Sequence, residues 1–206
     1  QNYLPGVPEG SDLCITPVSA PENHYVRIKA DNRLEADGTL RGTFTLTAEG
    51  QSDSNIRRIF TTGFQSEWKS TMERQLLAIS PKARLLSVDY GKNPKDYQAA
   101  PIKITFRYEI PDYALKGEGE MFFRPMVMNN LYNQVRSYMW IDTSVENRKY
   151  GFKDACSRLV ELDETVQLPA GYKLVSAVKD ETMQGVGADF EGSLVQKGNR
   201  SEERRV

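Results

Sequence analysis

The most regular stretch of the chain is residues 102–110, which read IKITFRYEI. Its apolar side chains lie two residues apart, and polar side chains separate them, namely Lys103, Thr105, Arg107 and Glu109. Successive side chains of a strand point to opposite faces of a sheet, so this alternation predicts a strand with one buried face and one charged, solvated face. We expect the strand to end at Pro111, because proline cannot donate a hydrogen bond to a ladder.

The same period of two recurs along most of the chain and predicts an all-β fold. Residues 24–31 and 39–49 predict a hairpin, since Asp37-Gly38 between them tolerates the positive φ of a tight turn. Further strands are predicted at residues 86–90, 119–124, 137–142, 157–168, 172–179, 187–196 and 200–206. The total is roughly ten strands with no β-α-β alternation, a pattern typical of an antiparallel two-sheet β-sandwich.

One segment, at about residues 53–80, has helical rather than strand spacing. Ile56, Ile59, Phe60 and Phe64 recur at helical intervals, and Gly63 permits a break. A second stripe follows, formed by Trp68, Met72, Leu76 and Ile79. Such a stripe is typical of a face that packs on a core, so we expect Trp68 to be buried and the helix to end before Pro81.

Composition and charge exclude several classes of protein. The chain has 206 residues, 39% hydrophobic and 27% charged, which are globular rather than disordered values. Its 27 basic and 28 acidic residues give a net charge of −1, which argues against nucleic acid or a membrane surface as partners. We expect residues 1–23, rich in Pro and Gly, to form an extended strap and residues 24–206 to form one domain.

The cysteines and the histidine do not form a recognisable site. Cys14, Cys156 and His24 lack the close ligand pairs of zinc sites, and no calcium or nucleotide motif occurs, so no metal or cofactor is expected. In an oxidising compartment Cys14 and Cys156 could form a disulfide. The alternative is that both are small buried side chains. His24 lies in a polar run before a strand, where an exposed histidine is expected.

Two clusters of acids are the candidates for hydrolytic chemistry. They are Asp112 with Glu118 and Glu120, and Glu161 with Asp163 and Glu164. Glycoside hydrolysis needs two carboxylates about 5–10 Å apart, one with a pKa raised by burial. Both clusters lie in polar stretches that imply solvated carboxylates, and the basic pair Arg57-Arg58 is likewise expected at the surface.

Three aromatic residues offer a different candidate, a carbohydrate-binding module. Tyr132, Tyr138 and Trp140 lie close in sequence around an irregular segment. Flat rings at such edges present apolar area with a polar tip, which suits sugar or protein binding. The alternative is that alternation places Tyr138 and Trp140 together in the core.

Several turns and strand ends together resemble a domain of secreted bacterial transglutaminase-like proteins. Those proteins have three parts, and the domain in question is the C-terminal one, which follows the catalytic core and has no known function. The resemblance rests on residues 4–10 (LPGVPEG), 37–40 (DGTL), 48–51 (AEGQ) with Arg57-Arg58, 110–114 (IPDYA) and 168–172 (LPAGY). It implies a jelly-roll-like sandwich that follows a papain-like core in the sequence. The Cys-His-Asp triad of that core would lie upstream of Gln1, so no catalytic residue is assigned to this chain. It also implies further strands after Val206.

The resemblance therefore implies a non-catalytic accessory domain rather than an enzyme. Its partner would be the upstream transglutaminase-like core of the same chain, together with a protein or polysaccharide of the cell envelope. The expected location is periplasmic, outer-membrane-associated or extracellular. A hydrolase that uses loop carboxylates is the remaining alternative.

Overall fold

A computed structural model of the chain describes residues 2–99, 101–127, 147, 149, 156–175, 180–185, 187–198 and 200–205. The longer strands are β3 (Val26–Leu34), β4 (Leu40–Ala48), β5 (Arg84–Asp89), β6 (Ile102–Ile110), β9 (Val160–Gln167), β10 (Glu181–Gln184), β11 (Asp189–Lys197) and β12 (Arg200–Arg205). They form one eight-stranded sheet in the order β10-β11-β12-β9-β3-β4-β6-β5. The remaining strands form two small hairpins, β1 (Asn2–Tyr3) with β2 (Cys14–Ile15) and β7 (Leu115–Lys116) with β8 (Met121–Phe122).

The fold is mostly β, as predicted, but the main sheet is mixed. β3 and β9 are parallel neighbours, from Val26 beside Val160 to Arg33 beside Gln167. The other neighbouring strands of this sheet are antiparallel. The antiparallel two-sheet sandwich predicted from the sequence is not confirmed. Alternation shows that a segment has one buried face, but it does not show which strand lies beside it.

The turn and end signals of the sequence agree well with the strands. Gly38 has a φ of +89° and joins β3 to β4 at the predicted position, and Asp37 Oδ1 accepts a hydrogen bond of 2.8 Å from the amide of Thr39. β6 ends at Ile110, directly before Pro111. The strand predicted at 137–142 lies outside the described residues. Residues 172–175 are not a strand, and β10 was not predicted.

The helical insertion is confirmed as two helices, α1 (Gly50–Thr61) and α2 (Trp68–Leu77). α1 buries Ile56 and Phe60, and α2 buries Trp68, Met72 and Leu76. No helix in the described part of the chain is both long and apolar enough to cross a membrane.

Each central strand divides its side chains between two faces of the sheet. The inner side chains of β3, β4, β6 and β9 join those of α1 and α2 in one apolar core. The opposite side carries the charged residues of the same strands and is called the outer face below. Leucines, isoleucines and aromatic residues cover the inner face because burial of their area drives folding.

Gly42 creates a gap in the inner face that a polar contact fills. It pairs with Asn32 on β3 and with Tyr108 on β6. The Tyr108 hydroxyl donates a hydrogen bond to Asn32 Oδ1 across this gap, and both residues are buried. A Cβ at Gly42 would overlap Asn32 Oδ1 and lie 2.5 Å from the carbonyl oxygen of Asp31.

We expect Gly42→Ala to lower the free energy of unfolding by about 1–3 kcal/mol, since the added methyl group must displace backbone as well as the Asn32 amide. Urea denaturation measures the change. Gly6→Ala is the matched control because a Cβ there meets nothing within 4 Å. A Gly42→Ala protein as stable as the control would show that this close packing is not required.

Candidate functional site

The outer face carries a shallow basin of about 370 Å³ that extends across five neighbouring strands and reaches Leu86 on β5. Its charged lining consists of Arg33, Arg41, Arg107 and Arg200, with Asp31 as the one acid among the described lining residues. We call this surface the arginine basin.

The pairing register explains why these arginines converge. Arg200 pairs with Gln167, Gln167 with Arg33, and Arg33 with Arg41, so one row across the sheet carries three of the arginines. In the next row Thr165 pairs with Asp31. Asp31 in turn pairs with Thr43, and Thr43 with Arg107. Residues of a row lie on the same face, with adjacent strands roughly 4.8 Å apart.

The charge of the arginine basin is only partly neutralised. Arg33 Nε lies 3.3 Å from Glu35, and Arg41 Nε lies 3.3 Å from Glu109. Both are single contacts of exposed guanidinium groups, and exposed pairs of this kind contribute at most about 1 kcal/mol. Within the ranges that the structure describes, neither Arg107 nor Arg200 forms an ion pair. Four guanidinium groups therefore line the basin, and two of them have no carboxylate partner within the described residues, which favours the binding of an anion.

The arginines at the other end of the outer face are ion-paired, whereas Lys29 and Lys103 there form no ion pair within the described residues. Arg27 pairs with Glu161, and Arg204 lies 3.5 Å from Glu161 and 3.6 Å from Asp163. The two ends therefore differ in the pairing of their arginines, since Arg107 and Arg200 form no ion pair within the described residues. The basin is thus a local feature of the sheet and not a consequence of composition.

A β-bulge supplies the apolar part of the basin. The pairing of β5 with β6 shifts between Leu85 and Ser87, so Leu86 is an extra residue. Bulges redirect side chains, and Leu86 lines the basin while remaining 48% exposed.

Beneath the sheet, the carboxylate of Glu164 is buried and hydrogen-bonded. Its oxygens accept hydrogen bonds from Asn32 Nδ2 at 2.7 Å, from the Met126 amide at 3.0 Å and from the Val127 amide at 2.7 Å. A buried charge is tolerated when such donors surround it. Glu164 therefore fixes the segment at residues 126–127 to β3 and β9.

Two tyrosines near Glu164 are held in their neutral form. Burial, with the Glu164 charge as the second cause, keeps the pKa of Tyr108 well above its ordinary value. The same two causes, burial first, raise the pKa of Tyr113, whose hydroxyl donates to the Arg124 carbonyl at 2.6 Å. Both hydroxyls therefore stay protonated, and able to donate hydrogen bonds, to a higher pH than an ordinary tyrosine.

The acid clusters are arranged differently from the prediction. Glu161, Asp163 and Glu164 lie on β9 rather than in a loop. Alternation places Glu161 and Asp163 on the outer face and Glu164 in the core, so the expectation of a solvated Glu164 is wrong. In the other cluster, Asp112 is exposed and pairs with Lys82 at 2.8 Å.

Arg57 is buried, so the expectation that it lies at the surface is wrong. Only 2% of the residue is exposed. Its Nε donates to Asp53 Oδ2 at 2.6 Å and its Nη1 donates to the Asp96 carbonyl at 2.8 Å, while Asp53 Oδ1 accepts from the Ile102 amide at 2.7 Å. A paired guanidinium can be buried when carbonyl groups take its other donors. Arg57 thereby anchors the loop between β5 and β6.

His24 is half-buried and has a structural contact instead of being exposed in a loop. Its Nδ1 accepts a hydrogen bond of 3.1 Å from the Gln51 amide, and its carbonyl accepts one of 2.8 Å from the Ser52 hydroxyl. First-turn amides of a helix have no partner within the helix. His24 supplies one at the start of α1, and Gly50, with a φ of +61°, leaves room for the ring.

The remaining candidates from the sequence fall into two groups. Cys14 and Cys156 are free, half-buried thiols, and the disulfide stays a prediction for the oxidised protein. Tyr132, Tyr138 and Trp140 lie outside the described residues, so the carbohydrate-binding module also stays a prediction. Among the residues with described positions, no cluster of His, Cys, Asp and Glu could hold a metal ion.

Comparison with protein-family models, curated proteins and solved structures found no match to this chain.

The sequence contains part of the signal for the arginine basin, because the alternation of β6 predicts that Arg107 lies on a charged outer face. Its convergence with Arg200 depends on the parallel β3–β9 pair, which brings distant segments together.

We expect Glu164→Gln to lower the free energy of unfolding by about 2–3 kcal/mol, since it replaces a charged acceptor of backbone amides. Amide hydrogen exchange at Met126 and Val127 should accelerate together with this loss. Glu161→Gln is the control on the same strand, and its exposed pairs predict a loss of about 1 kcal/mol or less. Equal losses in the two variants would contradict the role of Glu164.

Proposed function

We propose that this chain is a non-catalytic interaction domain that binds an anionic partner in the arginine basin. The observation that carries the proposal is a pair of exposed arginines, Arg107 and Arg200, that have no ion-pair partner within the described residues. They lie on either side of Arg33 and Arg41 in the sheet. A guanidinium group offers a planar fork of donors that matches a carboxylate or a phosphate. The binding of such a group would neutralise charge that the fold leaves unpaired.

The roles of the buried polar groups also favour binding over catalysis. Glu164, Arg57 and His24 each hold a segment of backbone in place. In the arginine basin, by contrast, the charged side chains are exposed and mostly of one sign. Such a surface attracts and orients a charged partner.

We further propose that the chain belongs to a secreted or cell-envelope transglutaminase-like protein and packs beside its catalytic core. This part of the proposal rests on the sequence resemblance and includes the jelly-roll-like sandwich. The exposed apolar side chains of the strap are consistent with docking, since Ile15 is 74% and Val18 83% exposed. Apolar side chains grouped at a surface are typical of an interface.

Retention on a sulfonate cation exchanger at pH 7 tests the anion-binding surface. We expect the chain to be retained despite its net charge of −1, because the arginine basin concentrates positive charge. The double variant Arg107→Gln/Arg200→Gln should elute at distinctly lower salt.

The control is Lys69→Gln/Arg74→Gln, which removes the same charge from the exposed side of α2. It should elute close to the parent protein. Equal shifts in the two double variants would mean that retention reports total charge and would contradict the proposal.

Hydrogen exchange tests the docking of the strap. We expect the amides of residues 3–20 to exchange more slowly in the longer transglutaminase-like polypeptide than in this chain alone, because docking would cover them. Equal exchange in the two proteins would contradict docking and would leave the arginine basin unaffected.

A further inference from the structure

We infer that the arginine basin binds an extended acidic peptide segment of a partner protein, which crosses the strands from Arg200 towards Arg107. The inference rests on the proposed function and adds the chemical class and the shape of the ligand. Arginine clusters are a recurring means of recognising acidic peptide motifs.

The spacing of the two unpaired arginines fits an extended peptide. Arg200 lies on β12 and Arg107 on β6, four strand spacings apart in the order of the sheet. With about 4.8 Å for each spacing, their backbones are roughly 19 Å apart across the strands. An extended peptide rises about 3.3 Å per residue, so side chains at positions 1 and 7 lie on one face roughly 20 Å apart.

The residues between these two arginines define the rest of the motif. Arg41 lies on β4, three strand spacings from Arg200, or roughly 14 Å, close to the roughly 13 Å between peptide positions 1 and 5. Asp31 lies in the next row, between Thr165 and Thr43. Position 3 falls between Gln167 on β9 and the opposite charges of Arg33 and Asp31 on β3, so no acid is required there. The expected pattern is therefore acidic at positions 1, 5 and 7.

The uncharged lining also suits a peptide. The hydroxyls of Thr43 and Thr165 and the amide of Gln167 can exchange hydrogen bonds with peptide groups. Leu86, one strand beyond Arg107, lies where an apolar side chain at position 9 would arrive.

A polysaccharide with carboxylate groups would satisfy the charge but fits the lining less well. Flat rings are the usual apolar platforms for sugars, and among the described lining residues the one aromatic ring belongs to Tyr108. That ring lies on the inner face, 5.7 Å from the ring of Phe44, with its hydroxyl bound to Asn32.

Fluorescence anisotropy with labelled nine-residue peptides tests the inference. The first peptide has Glu at positions 1, 5 and 7, Leu at position 9 and Ser or Gln elsewhere, and its isomer has the three Glu residues adjacent. We expect the spaced peptide to bind at least tenfold more tightly at low ionic strength. The Arg107→Gln/Arg200→Gln protein should lose this preference, and the Lys69→Gln/Arg74→Gln protein should keep it.

An oligogalacturonate of equal charge is the competing probe. If it binds through Arg107 and Arg200 while the spaced peptide does not, the basin binds anions but the peptide assignment is overturned. Equal affinity for the two peptide isomers would also overturn it, because spacing would then not matter. Both of these results can be distinguished from a failure of the cation-exchange test. That failure would contradict the proposal that the basin binds anions at all.

Discussion

Unbroken pairing of strands is the constraint on which the rest of this structure depends. From β12 through β9, β3 and β4 to β6, the pairing has no register shift. A shift of one residue in any of these strands would exchange its buried and exposed side chains. The same register that places Phe44 beside Phe106 in the core, with ring centroids 4.3 Å apart, places Arg33 beside Arg41 on the outer face. The same strand register therefore determines both the packing of the core and the arrangement of charge on the outer face.

Glu164 is the exception to this division, since it places a carboxylate among apolar neighbours. Such a residue is costly to bury, and three hydrogen bonds from Asn32 and two backbone amides offset the cost. Gly42 belongs to the same arrangement, because its missing side chain is what lets Tyr108 reach Asn32. A network of this kind favours one arrangement of strands over others, as each member is satisfied only when all are in place.

The strand β6, the Asp37-Gly38 turn and the two helices could be predicted because each depends on residues close together in sequence. The mixed sheet could not, since the parallel contact of β3 with β9 joins distant segments and leaves no local signal. The burial of Arg57 was missed for a related reason. An arginine is expected at the surface unless carbonyl groups surround it. The carbonyl groups that surround Arg57 belong to Pro94 and Asp96, in the loop that follows β5, which is distant in sequence. The bulge at Leu86 was likewise invisible in the alternation of β5.

The arginine basin shows how a chain with almost no net charge can still present a charged surface. Sheet rows gather side chains from strands that are far apart in sequence, so charge balance along the chain says nothing about balance on a face. At one end of the outer face, Glu161 and Asp163 stand opposite Arg27 and Arg204 and neutralise them. At the other end, the equivalent positions of β9 carry Thr165 and Gln167, which are neutral. The exchange of two acids for two neutral residues along β9 therefore leaves Arg200 without an acidic neighbour on that strand. Arg107, on β6, lies between Thr43 and Ser87, which are neutral as well.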